Sequence, residues 1–332
     1  MAAVTAAWAS ATAGTEVVYA TDETPPGTWS AQVTWHGHSQ PAQLARVQVG
    51  TPFEADAFML IAPRDESIAL TRLYAESMQG KPVLVAPGGF AIVEAIDEVL
   101  NTGTSIASPV GQLPGFPITG DVEPGNVRIR AVKRNFPLGQ LRHKDSSDLV
   151  ETFRIWFPDL AASTLAETTL GNMNNILHPP ILLVNAARSE AGEDYLFYRQ
   201  GASSGASQII SGIDDERLDV MRALNQKLVP FTELFKRYYG DQGLVGETID
   251  QMIASVPTLA GARGPKTLEH RYVSEDVIYG LAPMEELAHR LDVATPCLSS
   301  LITILSTVCG SNLREAAPSL VDQSALYSTA VV

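Results

Sequence analysis

Positive charge is scarce in this chain of 332 residues: 23 Lys and Arg stand against 37 Asp and Glu, a formal charge of −14. That is the wrong sign for a protein whose main partner is a phosphate backbone, so nucleic-acid binding drops out of the expected functions. Cysteine is nearly absent. Cys297 and Cys309 cannot build a disulfide framework for a chain this long, no Cys/His cluster has zinc spacing, and no metal site is expected. Long apolar runs are missing too. None approaches the roughly 18 uninterrupted residues of a membrane helix, Ile181-Leu-Leu-Val184 and its neighbours coming nearest. The apolar stretch from Met1 to Trp8 carries no Lys or Arg and so lacks the charged head of a secretory signal. These absences predict a soluble, cytoplasmic protein with neither nucleic-acid nor membrane partners.

What is present is core material. Hydrophobic residues make up 45% of the chain and charged ones 18%, enough for one large domain or two ordinary ones and too apolar for a disordered tail. Ala2, Val4, Ala7, Trp8 and Ala11 recur at helical spacing, and Gly14 stops the pattern before the β-branched run Glu16-Val-Val-Tyr-Ala20. Ala57 to Ala62 reads as a buried strand, Asp65 to Ser77 as an amphipathic helix, and Pro82 to Ala86 as another strand closed by Pro87-Gly88-Gly89. A short helix runs to Leu100. The Gly- and Pro-rich stretch from Pro109 to Gly125 reads as a loop long enough to be functional, and Asn126 to Lys133 as a strand. Asp145-Ser-Ser-Asp148 opens a helix from Leu149 to Phe157, and a last strand lies near Ser163 to Glu167.

Such alternation predicts a parallel sheet covered by helices, with nucleotide sites at the carboxyl ends of its strands. From about Asn172 onward the patterns are almost wholly helical. The expected domains are therefore an α/β half over residues 1–168 and an all-α half over 169–332.

Several residues are candidates for chemistry. His178 stands in Gly171-Asn-Met-Asn-Asn-Ile-Leu-His-Pro-Pro180, where two prolines interrupt an apolar helix. Prolines kink a helix and leave residues beside a bend, yet periodicity alone favours reading His178 as a core histidine next to a structural kink. Asn172, Asn174 and Asn175 precede it. Buried amides must be paired, and Asn172 suits a helix N-cap.

Arg271 comes five residues before Asp276, a spacing that offers a carboxylate-binding fork near a carboxylate able to orient a histidine. An ordinary surface ion pair and a helix cap fit the same pattern, and Glu275 reads as a solvent-facing charge. Tyr198-Arg-Gln-Gly201 leads into the small-residue stretch Ala202 to Ala206, which has no preceding strand and no P-loop Lys, and so reads as an interhelix turn. His36 and His38 flank Gly37 in a polar hairpin-like segment with no carboxylate spaced to complete a metal site.

In order along the chain, Leu170 to Ser189 with its Asn-rich turn, His-Pro-Pro and Asn185-Ala186, then Tyr198-Arg-Gln-Gly, Ile213-Asp-Asp-Glu-Arg-Leu218 and Arg271 to Pro283, resemble the helical domain of the opine (octopine/nopaline) dehydrogenase family. Val127 to Arg134 followed by Pro137-Leu138 resembles the family's α/β half. The resemblance implies a Rossmann-like domain followed by an opine dehydrogenase-type helical domain. It implies an oxidoreductase that uses NADPH or NADH to reduce the imine formed between an amine or amino acid and a 2-oxo acid, as a monomer or homodimer. On the matching positions it implies His178 as acid/base, Asp276 as its partner, Arg271 as the substrate-carboxylate residue and Asn174 as a lesser pocket residue.

One departure accompanies these matches. The family's first strand and its glycine-rich turn, G-x-G-x-x-G/A, have no counterpart here, because the helix beginning at Met1 aligns with the one that follows that turn. By the resemblance Asp22 still meets a ribose hydroxyl, and Pro87, Gly88 and Gly89 line the cofactor cleft. Charge and size around Asp22 decide between NADPH and NADH. Two explanations compete: Met1 is internal to a longer natural protein, or the standard cofactor grip has been lost. The second implies a cofactor-independent lyase, isomerase or cyclase that uses the His178 and Asp276 pair, or a noncatalytic homologue.

Overall fold

Gly14, at a left-handed φ of 61°, ends helix α1 (Ala2–Ala13) and turns the chain into strand β1 (Val17–Ala20), a conformation open to glycine without a Cβ penalty. No side-chain cap starts α1, and tertiary contacts hold it instead. Val4, Ala7 and Trp8 are buried, and Trp8 Nε1 donates to the Trp156 carbonyl at 2.8 Å. The computed structural model describes residues 1–141 and 148–320. Its first compact unit is Met1–Gly88 with Ile92–Ser163; the second is Gly89–Ala91 with the chain from Thr164 onward.

In the first unit β2 (Gly27–Trp35) and β3 (His38–Val47) form an antiparallel hairpin. Its two turn residues, His36 and Gly37, both have positive φ (47° and 80°), the geometry that matches the twist of the flanking strands. His36 and His38 are exposed there. Next come β4 (Phe58–Leu60), α2 (Arg64–Leu73), α3 (Ala75–Met78), β5 (Val83–Val85) and α4 (Ile92–Asn101).

The expected functional loop from Pro109 to Gly125 instead holds two strands, β6 (Val110–Gln112) and β7 (Ile118–Glu123). β6 is wholly buried, and a Cβ at Gly111 would fall 2.6 Å from a Leu149 methyl, so glycine here serves packing rather than freedom. β8 (Asn126–Val132), β9 (Phe136–Gln140), α5 (Leu149–Phe153) and β10 (Leu160–Ser163) complete the unit. α5 is shorter than its apolar pattern. Asp148 caps it by accepting from Val150 N and Glu151 N, while Asp145, Ser146 and Ser147 lie outside the described residues.

Two sheets result, ordered β1-β3-β2-β8-β7 and β10-β9-β6-β5-β4. The α/β class is as expected, and within it the sheets are mixed. β1/β3, β2/β8, β4/β5, β5/β6 and β9/β10 are parallel, whereas β2/β3, β7/β8 and β6/β9 are antiparallel. β1 and β4 are outer strands of separate sheets. In the doubly wound plan the strand before the phosphate loop runs between two such strands, and among the described residues none joins them.

The second unit is helical: α6 (Leu165–Leu170), α7 (Met173–Val184), α8 (Ala186–Glu190), α9 (Ser204–Ala223), α10 (Phe231–Tyr239), α11 (Ile249–Ser255), α12 (Arg271–Ser274), α13 (Ala282–Arg290) and α14 (Pro296–Cys309). The strand expected near Ser163 to Glu167 is corrected by Thr164, whose Oγ1 accepts from Glu167 N and starts α6 at once. Ser203 likewise caps α9, so the small residues read as a turn form its first turn. Arg217, 1% exposed, is bound twice by Asp214 and donates to the Val229 and Leu170 carbonyls. It thereby satisfies a buried charge that would otherwise cost several kcal/mol.

Candidate active site

Asn172 starts α7 as its N-cap, its Oδ1 accepting from Asn174 N at 3.2 Å. The helix continues through Pro179 and Pro180, which have no N–H to offer the carbonyls of Asn175 and Ile176 one turn earlier. His178, immediately before them, is 4% exposed. Its partner arrives from far along the chain: Nδ1 of His178 donates to Asp276 Oδ2 at 2.7 Å. With Nδ1–H committed, the neutral ring carries its lone pair at Nε2. The Tyr198 hydroxyl donates to that nitrogen at 2.8 Å.

Two single π-helical turns carry these partners, Phe197–Gly201 with Tyr198 and Val277–Leu281 directly after Asp276. Such turns break the regular ladder and are frequent at functional sites. Asn185 latches the first by donating to the Ile181 and Gly201 carbonyls at 2.8 and 2.9 Å, and Phe197 N adds a bond to the Ala262 carbonyl. The second packs against α7. A Cβ at Gly280 would fall 2.4 Å from Cγ of Asn175, which is buried.

Aromatic rings enclose the histidine. Tyr272 stacks on it at 4.1 Å, Phe197 meets it edge-on at 6.0 Å, and His270 abuts the other side of the group at 4.3 Å from Tyr272. His270 Nδ1 also caps α12 by accepting from Tyr272 N. Burial dominates the local electrostatics. It pushes the Tyr198 phenol well above its ordinary range and Tyr272 up to about 12, and it raises the Glu275 carboxyl. Glu275 is thus half-buried rather than simply solvent-facing. His270 is shifted down by burial, reinforced by Arg271 and His178.

The structure therefore brings His178 and Asp276 together. Arg271 is exposed at the start of α12, five residues before Asp276, and its charge acts on His270, Tyr272 and Glu275. Asn174 is half-buried, and the asparagine packed against the Asp276 turn is its neighbour Asn175.

In the first unit Asp22 is exposed just beyond β1, its Oδ1 accepting from Val49 N at 3.2 Å. Pro87 follows a cis bond, and Gly88 N donates to the Leu113 carbonyl while a Cβ there would strike Gln112. Gly89 groups with the helical unit. A groove of about 570 Å³ between α2 and α4 holds none of these candidates. Among the described residues no group of three or more His, Cys, Asp or Glu is placed to hold a metal ion, and no helix is long and apolar enough to cross a membrane. Sequence reasoning quoted Tyr198 only as the head of an interhelix turn and Tyr272 and Gly280 only within Arg271 to Pro283, gave none of them a role, and passed over His270. Nothing in the spacing of these residues along the chain signals a shared ring of contacts.

Comparison with known proteins gives these residues a context. The family model for the alpha-helical domain of NAD/NADP octopine/nopaline dehydrogenase matches residues 161–309. The opine dehydrogenase of Arthrobacter sp. (strain 1C) is 24% identical over 265 residues, 79% of this chain and 73% of that protein. Protein ocs of Agrobacterium vitis is 30% identical over 152 residues, 45% of this chain and 41% of that one. The solved structure of octopine dehydrogenase with NADH and agmatine shares the fold at a TM-score of 0.75 and 16% identity, covering 93% of this chain and 86% of that one. NADP+-bound yersinopine dehydrogenase does so at 0.69 and 15%, covering 98% and 95%.

Proposed function

We propose that this chain, whose residues 161–309 match the opine dehydrogenase helical-domain model and which is similar to an opine dehydrogenase over most of its length, is an oxidoreductase that joins an amine or amino acid to a 2-oxo acid by reducing the imine between them. The buried 2.7 Å bond between His178 and Asp276 is the observation that carries this reading. Condensation moves protons at the amine and at the carbonyl oxygen that leaves as water, work suited to an imidazole held in one tautomer by a carboxylate. Asp276 orients the ring and stabilises its charged form, and Nε2 exchanges the proton. Arg271 offers the planar cation for the carboxylate of the 2-oxo acid. Asn174 and, from its packing, Asn175 border the same helix turn.

NADPH or NADH supplies the hydride when bound. The first unit fits such a cofactor in part. Asp22 stands at the carboxyl end of β1, suited to a ribose hydroxyl, and Arg46, opposite Tyr19 on β3, keeps a buried Nε without a hydrogen-bond partner among the described residues. No glycine-rich turn is present to meet the pyrophosphate. The alternative expected from the sequence, a cofactor-independent lyase, isomerase or cyclase, would work with the same His178 and Asp276 pair.

Fluorescence titration with NADPH and NADH, followed by turnover of amino acid and 2-oxo acid panels, separates the two. Binding near micromolar strength with oxidation of the nicotinamide that depends on both substrates supports the dehydrogenase. Absence of binding by either nucleotide overturns it in favour of the second reading.

A further inference from the structure

His178 is closed off on the sides that an outside proton acceptor would use. Asp276 holds Nδ1 at 2.7 Å, Tyr198 holds Nε2 at 2.8 Å, Tyr272 covers a ring face at 4.1 Å, and the residue is 4% exposed. An imidazole that exchanges protons with a substrate needs a nitrogen within about 2.6–3.2 Å of it, or one hydrogen-bonding group between. The group between is already seated.

Tyr198 is no loose surface side chain. It is 8% exposed, and its turn is fastened by Asn185 to the Gly201 carbonyl and by Phe197 N to the Ala262 carbonyl. The neighbouring phenol is Tyr272, which stacks on the same imidazole at 4.1 Å and acts electrostatically on Tyr198. Tyr272 is the half-buried member of the group. The order Asp276, His178, Tyr198, Tyr272 thus runs from a buried carboxylate to a partly accessible phenol.

We propose that Tyr198 is the proton relay of His178, so that the imidazole exchanges protons through the Tyr198 hydroxyl and on to Tyr272 rather than by touching the acceptor itself. In the donating direction the Nε2–H bond of the imidazolium breaks as its proton bonds to the Tyr198 oxygen, and the original Tyr198 O–H proton passes to the Tyr272 oxygen, which hands one on in turn. One proton moves in sum, the phenols end neutral, and no electrons are transferred. A phenol that resists ionisation suits this role, because no phenolate has to stand alone. The proposal rests on the acid/base reading of His178. Its competitor is a plug, in which Tyr198 merely caps Nε2 and swings away when substrate arrives.

The test uses the full chain labelled with ¹⁵N-histidine, the His178 resonances being identified by their loss in His178→Asn. The rate at which the His178 ring N–H protons exchange with water is compared between wild type and Tyr198→Phe. A relay predicts that removing the hydroxyl slows this exchange by about tenfold or more. An unchanged or faster rate overturns the proposal, since a plug would open when its hydroxyl is lost. Tyr272→Phe provides the same readout if Tyr198→Phe does not fold: slowing supports the relay and an unchanged or faster rate overturns it. With a turnover assay in hand, the wild-type proton inventory is bowed and that of Tyr198→Phe is linear, kcat falling while KM stays nearly constant. Retained turnover in His178→Ala would instead overturn the acid/base reading, and the exchange rates would keep the two failures apart.

Discussion

Asp276 grips His178 Nδ1 at 2.7 Å across 98 positions of sequence, in a setting where both side chains are 5% exposed. The contact sets the tautomer, and with it the direction in which the ring exchanges protons. Asp276→Asn removes the charge that stabilises the imidazolium while preserving shape. Turnover in this variant is expected to fall by about 10²–10⁴-fold with far less change in KM. A kcat within a few-fold of wild type would remove Asp276 from the chemistry.

Arg271 presents an exposed guanidinium five residues before Asp276. A planar fork binds a carboxylate through two parallel bonds, and Lys cannot reproduce that geometry. Arg271→Lys is expected to raise KM for the 2-oxo acid by about tenfold or more, with kcat changing less. Steady-state kinetics with the oxo acid varied checks this, and an unaltered KM would free Arg271 of the role.

Gly280 leaves no space for a side chain, since a Cβ would lie 2.4 Å from Asn175 Cγ. The contact joins α7 to the turn that follows Asp276. Gly280→Ala is therefore expected to destabilise the protein by about 1–3 kcal/mol, the usual range for overpacking, and to lower turnover by displacing Asp276. Denaturant unfolding measures the first effect and kinetics the second.

His270 titrates below its ordinary range because burial, Arg271 and His178 all disfavour its charged form. The unfolded chain then binds the proton more readily than the folded one. Full stability is present above the unfolded pKa of about 6.5 and declines as pH falls through the folded value. Glu275, raised by burial, acts oppositely: its contribution is complete below its unfolded value and is lost as pH climbs through the raised one. Comparing Tm against pH for wild type and His270→Asn isolates the first effect. The variant keeps a side chain able to cap α12 and is expected to flatten the acid-side decline. An unchanged slope would refute the assignment to His270.

Much of this was legible in local pattern. Gly14, the caps Asp148 and Asn172, and the apolar periodicities of α7, α10 and α14 announce their elements, because capping and amphipathicity are short-range properties. The stretch holding β6 and β7 was misread because glycine and proline signal turns locally, while burial of β6 against Leu149 is a long-range matter. Thr164 and Ser203 were missed as caps because their helices open on residues with little apolar contrast.

The sequence by itself determined the α/β-then-helical order and the shortage of basic charge, which depend on composition and periodicity, and its family resemblance named His178 and Asp276 as a candidate pair. Only the tertiary structure decided that a carboxylate at 276 meets an imidazole at 178, that Tyr198 occupies the remaining nitrogen, and that Tyr272 and Phe197 close the ring in. Such contacts arise from how two π-helical turns and a proline-bearing helix pack. Packing joins residues that no spacing along the chain relates, because burying apolar surface rewards proximity in space and is indifferent to distance in sequence.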